Sequence, residues 1–370
     1  MAVKTGKVIM FMGVDKPFQE FEYPLPAKIE PGAILIKTKL ATICGSDMHS
    51  WLGDRPFPVP SVMGHEIVGE IVELGEGVDK DTAGKPLSIG DRIVFVYIWS
   101  CGACYYCKQK QLPMKCLKLY KYGHVKSDVA PYFHGGCGEY VYIRPGTAAF
   151  KVPKDMANEE AAPLMCAGAT IIGTLDKVGL EFQDKVVVFG AGMIGLNAIA
   201  MSRGWGAGKV IAIDIVDERL EGAKKFGADV LINSKESDDD ELIKEVKEHT
   251  GGFGPDLVME CSGFTGAISL GVKMLRIGGR LANVGCVYPG QKVTIDASDL
   301  VLKVLTITGL HNYEAKHLGW ALDYVHATRS KYPWKEMVSP FFPLTVDGVT
   351  QAFKALQERR AVRPAIVEGR

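Results

Sequence analysis

The chain has 370 residues, long enough for two domains. Its 47% apolar and 23% charged content is that of an ordinary globular protein. With 43 basic and 43 acidic residues there is no net charge, and so no electrostatic reason to expect nucleic acid or an anionic membrane as a partner.

The apolar run Val8–Val14 ends at Asp15 without a small-residue cleavage pattern, so no signal peptide is expected. The longest apolar stretch, Val186–Met201, is broken by three glycines and Asn197 and is too short to span a bilayer comfortably. A cytoplasmic protein is expected. Over the first 165 residues, strand-like runs such as Ala33–Leu40 and Ile67–Leu74 alternate with Gly- and Pro-rich turns, which predicts an irregular β-rich domain. Within it stand Cys44-Gly-Ser46-Asp47-Met-His49 and Gly64-His65-Glu66. A Cys and a His about 20 residues apart need a third donor to make a zinc site, and Cys166, at the junction with the next domain, is the candidate. Spacing alone leaves open that Cys44 and Cys166 are small core residues and His65 a satisfied core histidine.

Four of the nine cysteines, Cys101, Cys104, Cys107 and Cys116, fall within one short segment. In a long chain without a secretion signal this pattern reads as metal ligation. Four sulfurs saturate tetrahedral zinc and leave no open position, as in structural sites.

From Lys185 to Leu310, six apolar runs alternate with amphipathic segments. The expected strands are Val186–Phe189, Val210–Ile213, Val230–Ile232, Leu257–Glu260, Arg280–Val284 and Leu305–Thr308. Asp217–Phe226 and Asp239–His249 are expected helices, the latter opened by the acidic run Asp238–Glu241. Repeated strand–helix–strand order implies a doubly wound parallel sheet. Between its first strand and helix lies Gly190-Ala-Gly192-Met193-Ile194-Gly195. In that context Gly190 permits the turn, Gly192 lets backbone approach a pyrophosphate, Gly195 permits close helix–strand packing, and the helix N-terminus faces the phosphates. Asp214, ending the second strand, suits the ribose hydroxyls of NAD and repels the extra phosphate of NADP; the nearest following cation is Arg219. Helices are expected at His317–His326 and Val346–Glu358, folding back on the first domain.

These motifs, with Gly90-Asp-Arg92 and Gly135-Gly-Cys-Gly-Glu-Tyr140, resemble in order the zinc-containing alcohol dehydrogenases among the medium-chain dehydrogenases/reductases. The resemblance spans nearly the whole chain. It implies an α/β fold: a GroES-like catalytic domain over 1–167 and 311–370, and a Rossmann NAD-binding domain over 168–310. It further implies that Cys44, His65 and Cys166 ligate a catalytic zinc, that Glu66 lies beside the metal and can ligate it transiently, and that Asp47 orients His65. Ser46 would take the alcohol proton and pass it through the nicotinamide ribose to His49. Arg363 would contact the cofactor pyrophosphate, and Val284 would line the NAD site.

There are two departures. The gap from Cys107 to Cys116 is one residue longer than usual, with Lys115 at the expected place, and Gly45 replaces a basic residue that some members use for the pyrophosphate. Two zinc ions per chain and a homodimer or homotetramer, paired through the sheet edge at Leu305–Leu310, are expected. Trp51 and Tyr97 are expected near the substrate. Few charges in their stretches favour an uncharged secondary or cyclic alcohol, and the turn Asp79–Pro86 is shared in kind with members that oxidise cyclic alcohols. The alternatives are a polyol or amino-alcohol dehydrogenase and, in another class, a non-enzymatic crystallin-like NAD-binding protein.

Overall fold

A computed structural model describes residues 4–368. The chain divides into two compact units. The first holds the residues up to Cys166, Glu314–His326 and those from Trp334 onward; the second holds Ala167–Tyr313 and Ala327–Pro333.

The second unit is built on six strands, all paired in parallel. Their order across the sheet is Val230–Asn233, Lys209–Asp214, Lys185–Phe189, Leu257–Glu260, Arg280–Asn283, Thr306–Gly309. Val186, Val187 and Val188 are fully buried in succession, as a strand covered by helices on both faces requires. Strand order reverses between Lys185–Phe189 and Leu257–Glu260, where Phe189 pairs with Glu260. In such sheets that reversal opens a ligand crevice at the carboxyl ends of the strands. The expected strands and helices are present with ends displaced by one or two residues. The acidic run does open a helix: the Asp238 side chain accepts the Glu241 amide hydrogen at 2.8 Å.

In the first unit, strands Gln19–Pro24, Thr5–Phe11 and Ser61–Val62 form one small sheet. A second, seven-stranded sheet centres on Ile34–Thr42, which pairs with Glu66–Leu74, Tyr140–Ile143 and the C-terminal strand Ala365–Val367. Two register shifts within Ile34–Thr42 explain why period-two alternation is weak here in the sequence. The helix Val346–Gln357 drives Val349, Ala352 and Phe353 into a core with Ile9, Phe11, Met63 and Phe133. That burial accounts for the fold-back of the C-terminal segment onto this unit.

One stretch differs from expectation. Residues 327–333, and those up to Tyr313, belong with the second unit rather than the first. Tyr332 is buried and stacks on Phe226, with ring centroids 6.0 Å apart and planes at 7°. The boundary follows that aromatic contact, which the sequence pattern does not reveal. Among the described residues no helix is long and apolar enough to cross a membrane.

Gly190 has φ +88, and a Cβ there would lie 2.7 Å from Ser262 Cα. Gly190→Ala is therefore expected to destabilise the cofactor-free chain by about 1–3 kcal/mol. Urea midpoints of the two proteins measure it; equal midpoints would remove the close approach as the reason for glycine.

Candidate active site and metal centres

Strand Ile34–Thr42 leads to Cys44, which sits in extended conformation as the N-cap of helix Gly45–Trp51. Asp47, in the helix's first turn, is fully buried. Its Oδ2 accepts the Cys44 amide hydrogen at 2.9 Å, and its Oδ1 lies 3.1 Å from His65 Nδ1. His65 and Glu66 stand where strand Glu66–Leu74 begins. Cys166 follows the 3₁₀ turn Ala162–Met165, which is pinned by the Ile67 amide on Met165 Sδ at 3.0 Å. The sulfurs of Cys44 and Cys166 are 4.0 Å apart. The donor atoms of Cys44, His65, Glu66 and Cys166 all lie within 4.8 Å of one another.

The electrostatics suit a cation. The Cys166 thiol hydrogen bond holds Cys44 well below the usual thiol range against the cost of burial, with Arg363 and His65 assisting. The same bond, with burial, pushes Cys166 up. Burial opposes charge on His65, but Asp47 and Cys44 outweigh it and push its pKa up to about 10. With Nδ1 engaged by Asp47, the other ring nitrogen of His65 is left to face Cys44. Two sulfurs and one imidazole nitrogen fit a three-donor zinc site with an open position.

Glu66 lies against the set. Its Oε2 accepts from Thr42 Oγ1 and is 3.5 Å from Arg363 Nε, while its Oε1 is buried without a hydrogen-bond partner. Burial, with Cys44 nearby, raises the Glu66 pKa to about 8 despite Arg363. Arg363 is itself buried, with Nη1 3.4 Å from the Ile43 carbonyl.

Ser46 is half-buried in the first turn of the same helix, two residues after Cys44. His49 is three residues further on, its Nδ1 2.6 Å from Asp54 Oδ2. The residues expected near the substrate separate. Tyr97 is buried with its ring 4.9 Å from that of His65, whereas Trp51 packs on Phe353 at 5.6 Å in the hydrophobic core. The turn Asp79–Pro86 is closed by Asp81, whose carboxylate accepts the Ala83, Lys85 and Lys151 amides, and it is tied to strand Ala149–Lys151.

The second sulfur cluster is separate. Cys104 and Cys107 are 3.5 Å apart, Cys104 and Cys116 3.9 Å, and Cys116 and Cys101 3.4 Å. A zinc–sulfur bond of about 2.3 Å sets tetrahedral sulfurs about 3.8 Å apart, so the set fits a zinc ion. The turn Pro113–Lys115 absorbs the extra residue of the gap and delivers Cys116 to the set. Backbone amides of Leu117 and Cys107 pull Cys104 down to about 6, while burial and neighbouring sulfurs push Cys107 up to about 12.

In the second unit, Gly192 caps helix Met193–Trp205 without a side-chain hydrogen bond, and a Cβ on it would meet nothing within 4 Å. The first amides of that helix, those of Met193, Ile194 and Gly195, have no partner in the helix itself. A Cβ on Gly195 would lie 1.7 Å from the Gly190 carbonyl oxygen. The glycine that must be small for packing is thus Gly195, and the one that faces open space is Gly192. This fits a phosphate-bearing ligand. Asp214 Oδ2 accepts the Ala191 amide at 2.7 Å, and its Oδ1 accepts those of Ile215 and Val216. Val284 is buried just after strand Arg280–Asn283.

Residues 30–154 match the alcohol dehydrogenase GroES-like domain family, and residues 194–327 match the zinc-binding dehydrogenase family. L-threonine 3-dehydrogenase of Pyrococcus horikoshii is 37% identical over 80% of this chain and 80% of its own. The chain belongs to the zinc-dependent alcohol dehydrogenases of the medium-chain dehydrogenase/reductase superfamily. This dehydrogenase is also 29% identical to 5-exo-hydroxycamphor dehydrogenase of Pseudomonas putida, over 91% of this chain and 92% of that one. An alcohol dehydrogenase structure from Thermotoga maritima superposes with a TM-score of 0.93 at 28% identity, covering 99% of this chain and 100% of that one. It is an oxidoreductase of a family that uses zinc and nicotinamide dinucleotides, and it combines a GroES-like unit with a Rossmann sheet.

The sequence reading missed several residues of the dehydrogenase's sites. Arg55 and His124 gather near the first cluster. Asp47, His65 and His124 offer donor atoms within 4.8 Å of one another. Burial, then the nearby His65, pushes the His124 pKa down to about 3. No spacing rule links Arg55 or His124 to Cys44. Glu260 was missed as well, although it stands at the carboxyl end of a recognised strand. It is fully buried. Its Oε1 accepts from the Ser262 amide, the Ser262 hydroxyl and the Gly263 amide, each at 2.7 Å, and its Oε2 accepts from the Gly285 amide at 3.2 Å. Glu260→Gln would turn a donor toward one of these donors. It is expected to cost about 2–4 kcal/mol, read from the denaturation midpoint. A shift below 0.5 kcal/mol, roughly the scatter of surface substitutions, would count against this clamp.

Proposed function

We propose that this dehydrogenase oxidises a secondary alcohol, cyclic in the favoured reading, to a ketone, reversibly and with NAD+ as hydride acceptor. The observation that carries the reading is the convergence of Cys44, His65 and Cys166 on one point, braced by Asp47, with Ser46 two residues after Cys44 in the helix it caps. In this reading those three residues hold a catalytic zinc, and Cys101, Cys104, Cys107 and Cys116 hold a structural one. When bound, the catalytic zinc supplies Lewis acidity to the alcohol oxygen, and the nicotinamide takes up hydride.

The chain's own residues do the rest. Asp47 Oδ1 accepts a hydrogen bond from His65 Nδ1–H and so fixes which ring nitrogen would face the metal. Ser46 Oγ accepts the alcohol proton, and His49, whose Nδ1 lies 2.6 Å from Asp54 Oδ2, carries it toward solvent. Glu66, with its free Oε1, is placed to enter the coordination sphere transiently. Gly190, Gly192, Met193, Ile194, Gly195 and Val284 receive the dinucleotide, and Arg363 assists at the pyrophosphate. Asp214 favours NAD over NADP because its carboxylate repels a second ribose phosphate.

What supports a cyclic substrate is the relative named for hydroxycamphor, and what supports an amino alcohol is the relative named for threonine. A polyol or amino-alcohol dehydrogenase is therefore the second reading. A crystallin-like binding protein would need neither an open donor set nor a proton relay. We place the enzyme in the cytoplasm as a homodimer or homotetramer. Val301, Leu302, Val304 and Ile307 are exposed at the unpaired sheet edge Thr306–Gly309, which supports pairing between copies.

The deciding experiment combines metal analysis with NAD+ reduction on linear, cyclic and polyhydric alcohols and on L-threonine. About two zinc ions per chain and turnover of one class are expected. Full zinc with no turnover of any class would defeat the dehydrogenase reading. Ser46→Ala is expected to keep both zinc ions and to lower kcat about a hundredfold. Near wild-type turnover would rule out Ser46 as the first proton acceptor.

A further inference from the structure

Asp47 ties the helix Gly45–Trp51 to His65. A second tie, made of other groups, joins the same helix to the same imidazole. The helix has seven residues, too few to hold its shape unaided. Ser46 and Ser50 lie one turn apart on one face of it. Arg55 reaches back along that face. Its Nε donates to Ser50 Oγ at 2.8 Å, and its Nη2 donates to the Ser46 carbonyl at 2.8 Å. The Ser50 hydroxyl donates to the same carbonyl at 3.0 Å and closes a ring of three hydrogen bonds. One planar guanidinium thus staples a full turn of the helix.

The remaining hydrogen of Nη2 is spent on His124, whose Nε2 is 3.1 Å away. The His124 Nδ1 faces the Tyr122 carbonyl at 3.2 Å, where only an N–H can serve, so Nε2 is the acceptor for the guanidinium. The His124 ring is held between two others. It stands edge-on to His65 with centroids 5.0 Å apart, and Phe57 packs against it at 5.3 Å. The fork of Arg55 therefore meets three acceptors: two on the helix that carries Ser46, and one on the ring that packs against His65.

We propose that Arg55 is a positioning residue for the proton path: its hold on Ser46, Ser50 and His124 keeps Ser46 Oγ in register with the donor set around His65. The inference rests on the reading of Ser46 as first proton acceptor, and it gives Arg55 no contact with the substrate. The bond to the Ser46 carbonyl restrains the backbone of the very residue whose hydroxyl acts. With that backbone held, the hydroxyl has only the staggered side-chain positions to choose among. A shift of about 1 Å in such a group costs as much as about a hundredfold in rate. A lysine cannot replace the staple, because one ammonium on a flexible stem does not match three acceptors set around a planar fork.

The test is a double-mutant cycle on the zinc-loaded enzyme, joined to hydrogen exchange. Arg55→Met keeps much of the apolar stem and removes the fork. It is expected to retain zinc, to leave KM within about twofold, and to lower kcat about tenfold or more. Added to Ser46→Ala, it should change kcat less than about twofold, because the hydroxyl it positions is already gone. Backbone amide exchange over residues 44–52 should quicken about tenfold. Arg55→Lys should recover only part of the lost rate. Unchanged kcat in Arg55→Met overturns the proposal, and so does a raised KM at constant kcat, which would make Arg55 a substrate-binding group. An equal loss with and without the Ser46 hydroxyl overturns it too, as does wild-type kcat in Arg55→Lys, where charge alone would suffice. Near wild-type turnover in Ser46→Ala removes it together with the proton path. The two readings fail separately. Faster exchange in Arg55→Met, with no alcohol oxidised by the unaltered enzyme, sinks the dehydrogenase reading and leaves the staple standing. Unchanged exchange in an enzyme that turns over normally sinks the staple alone.

Discussion

The Asp47 carboxylate is the constraint on which the rest of the first unit's chemistry depends. One oxygen takes the Cys44 amide and the other faces His65 Nδ1. The first contact caps the helix Gly45–Trp51; the second fixes an imidazole that comes from a different strand. Two donors distant in sequence are thereby held by one buried side chain. Such a carboxylate tolerates burial because both oxygens are engaged: burial alone would raise its pKa, but the charge and hydrogen bond of His65 reverse the direction. The helix that begins at Cys44 then carries Ser46 and His49 at fixed offsets, so the proposed proton path inherits its position from the same cap.

Carboxylates play the same part against backbone elsewhere. Asp81 closes a turn, Asp214 holds the Ala191 peptide of the glycine loop, and Glu260 gathers loops at the strand-order reversal. A carboxylate that accepts several amides is stabilised in place and fixes loops that have no regular pairing of their own. Asp214 is therefore a clamp, and in the proposed reading it also favours NAD. Three amides occupy its oxygens in part and leave acceptor capacity unused.

How far this could be read in advance depended on range. The six-strand unit was legible because its signal is local: buried Val and Ile runs, a Gly-x-Gly-x-x-Gly turn, and acidic residues opening a helix. The four-sulfur lobe was legible for the same reason, since all its donors lie within one short segment. The first cluster was only half legible. Cys44 and His65 gave a pair, but Cys166 enters through a long-range contact and was assigned by resemblance. Arg55 and His124 carry no local signature, because their meaning lies in which segments meet. Tyr332 went to the second unit by an aromatic stack that no periodicity encodes.

The two sulfur clusters show why similar donors are placed so differently. Four thiolates around a dication keep a net negative charge. That charge is tolerable only where water and lysines screen it, and Cys101, Cys104 and Cys107 are indeed half-exposed, among Lys108, Lys110 and Lys118 at the surface. Two thiolates and an imidazole around the same ion leave no net charge, so that set can be buried without a screening shell. Glu66 and Arg363 are buried together behind it, 3.5 Å apart, and burial holds the Glu66 pKa up at about 8.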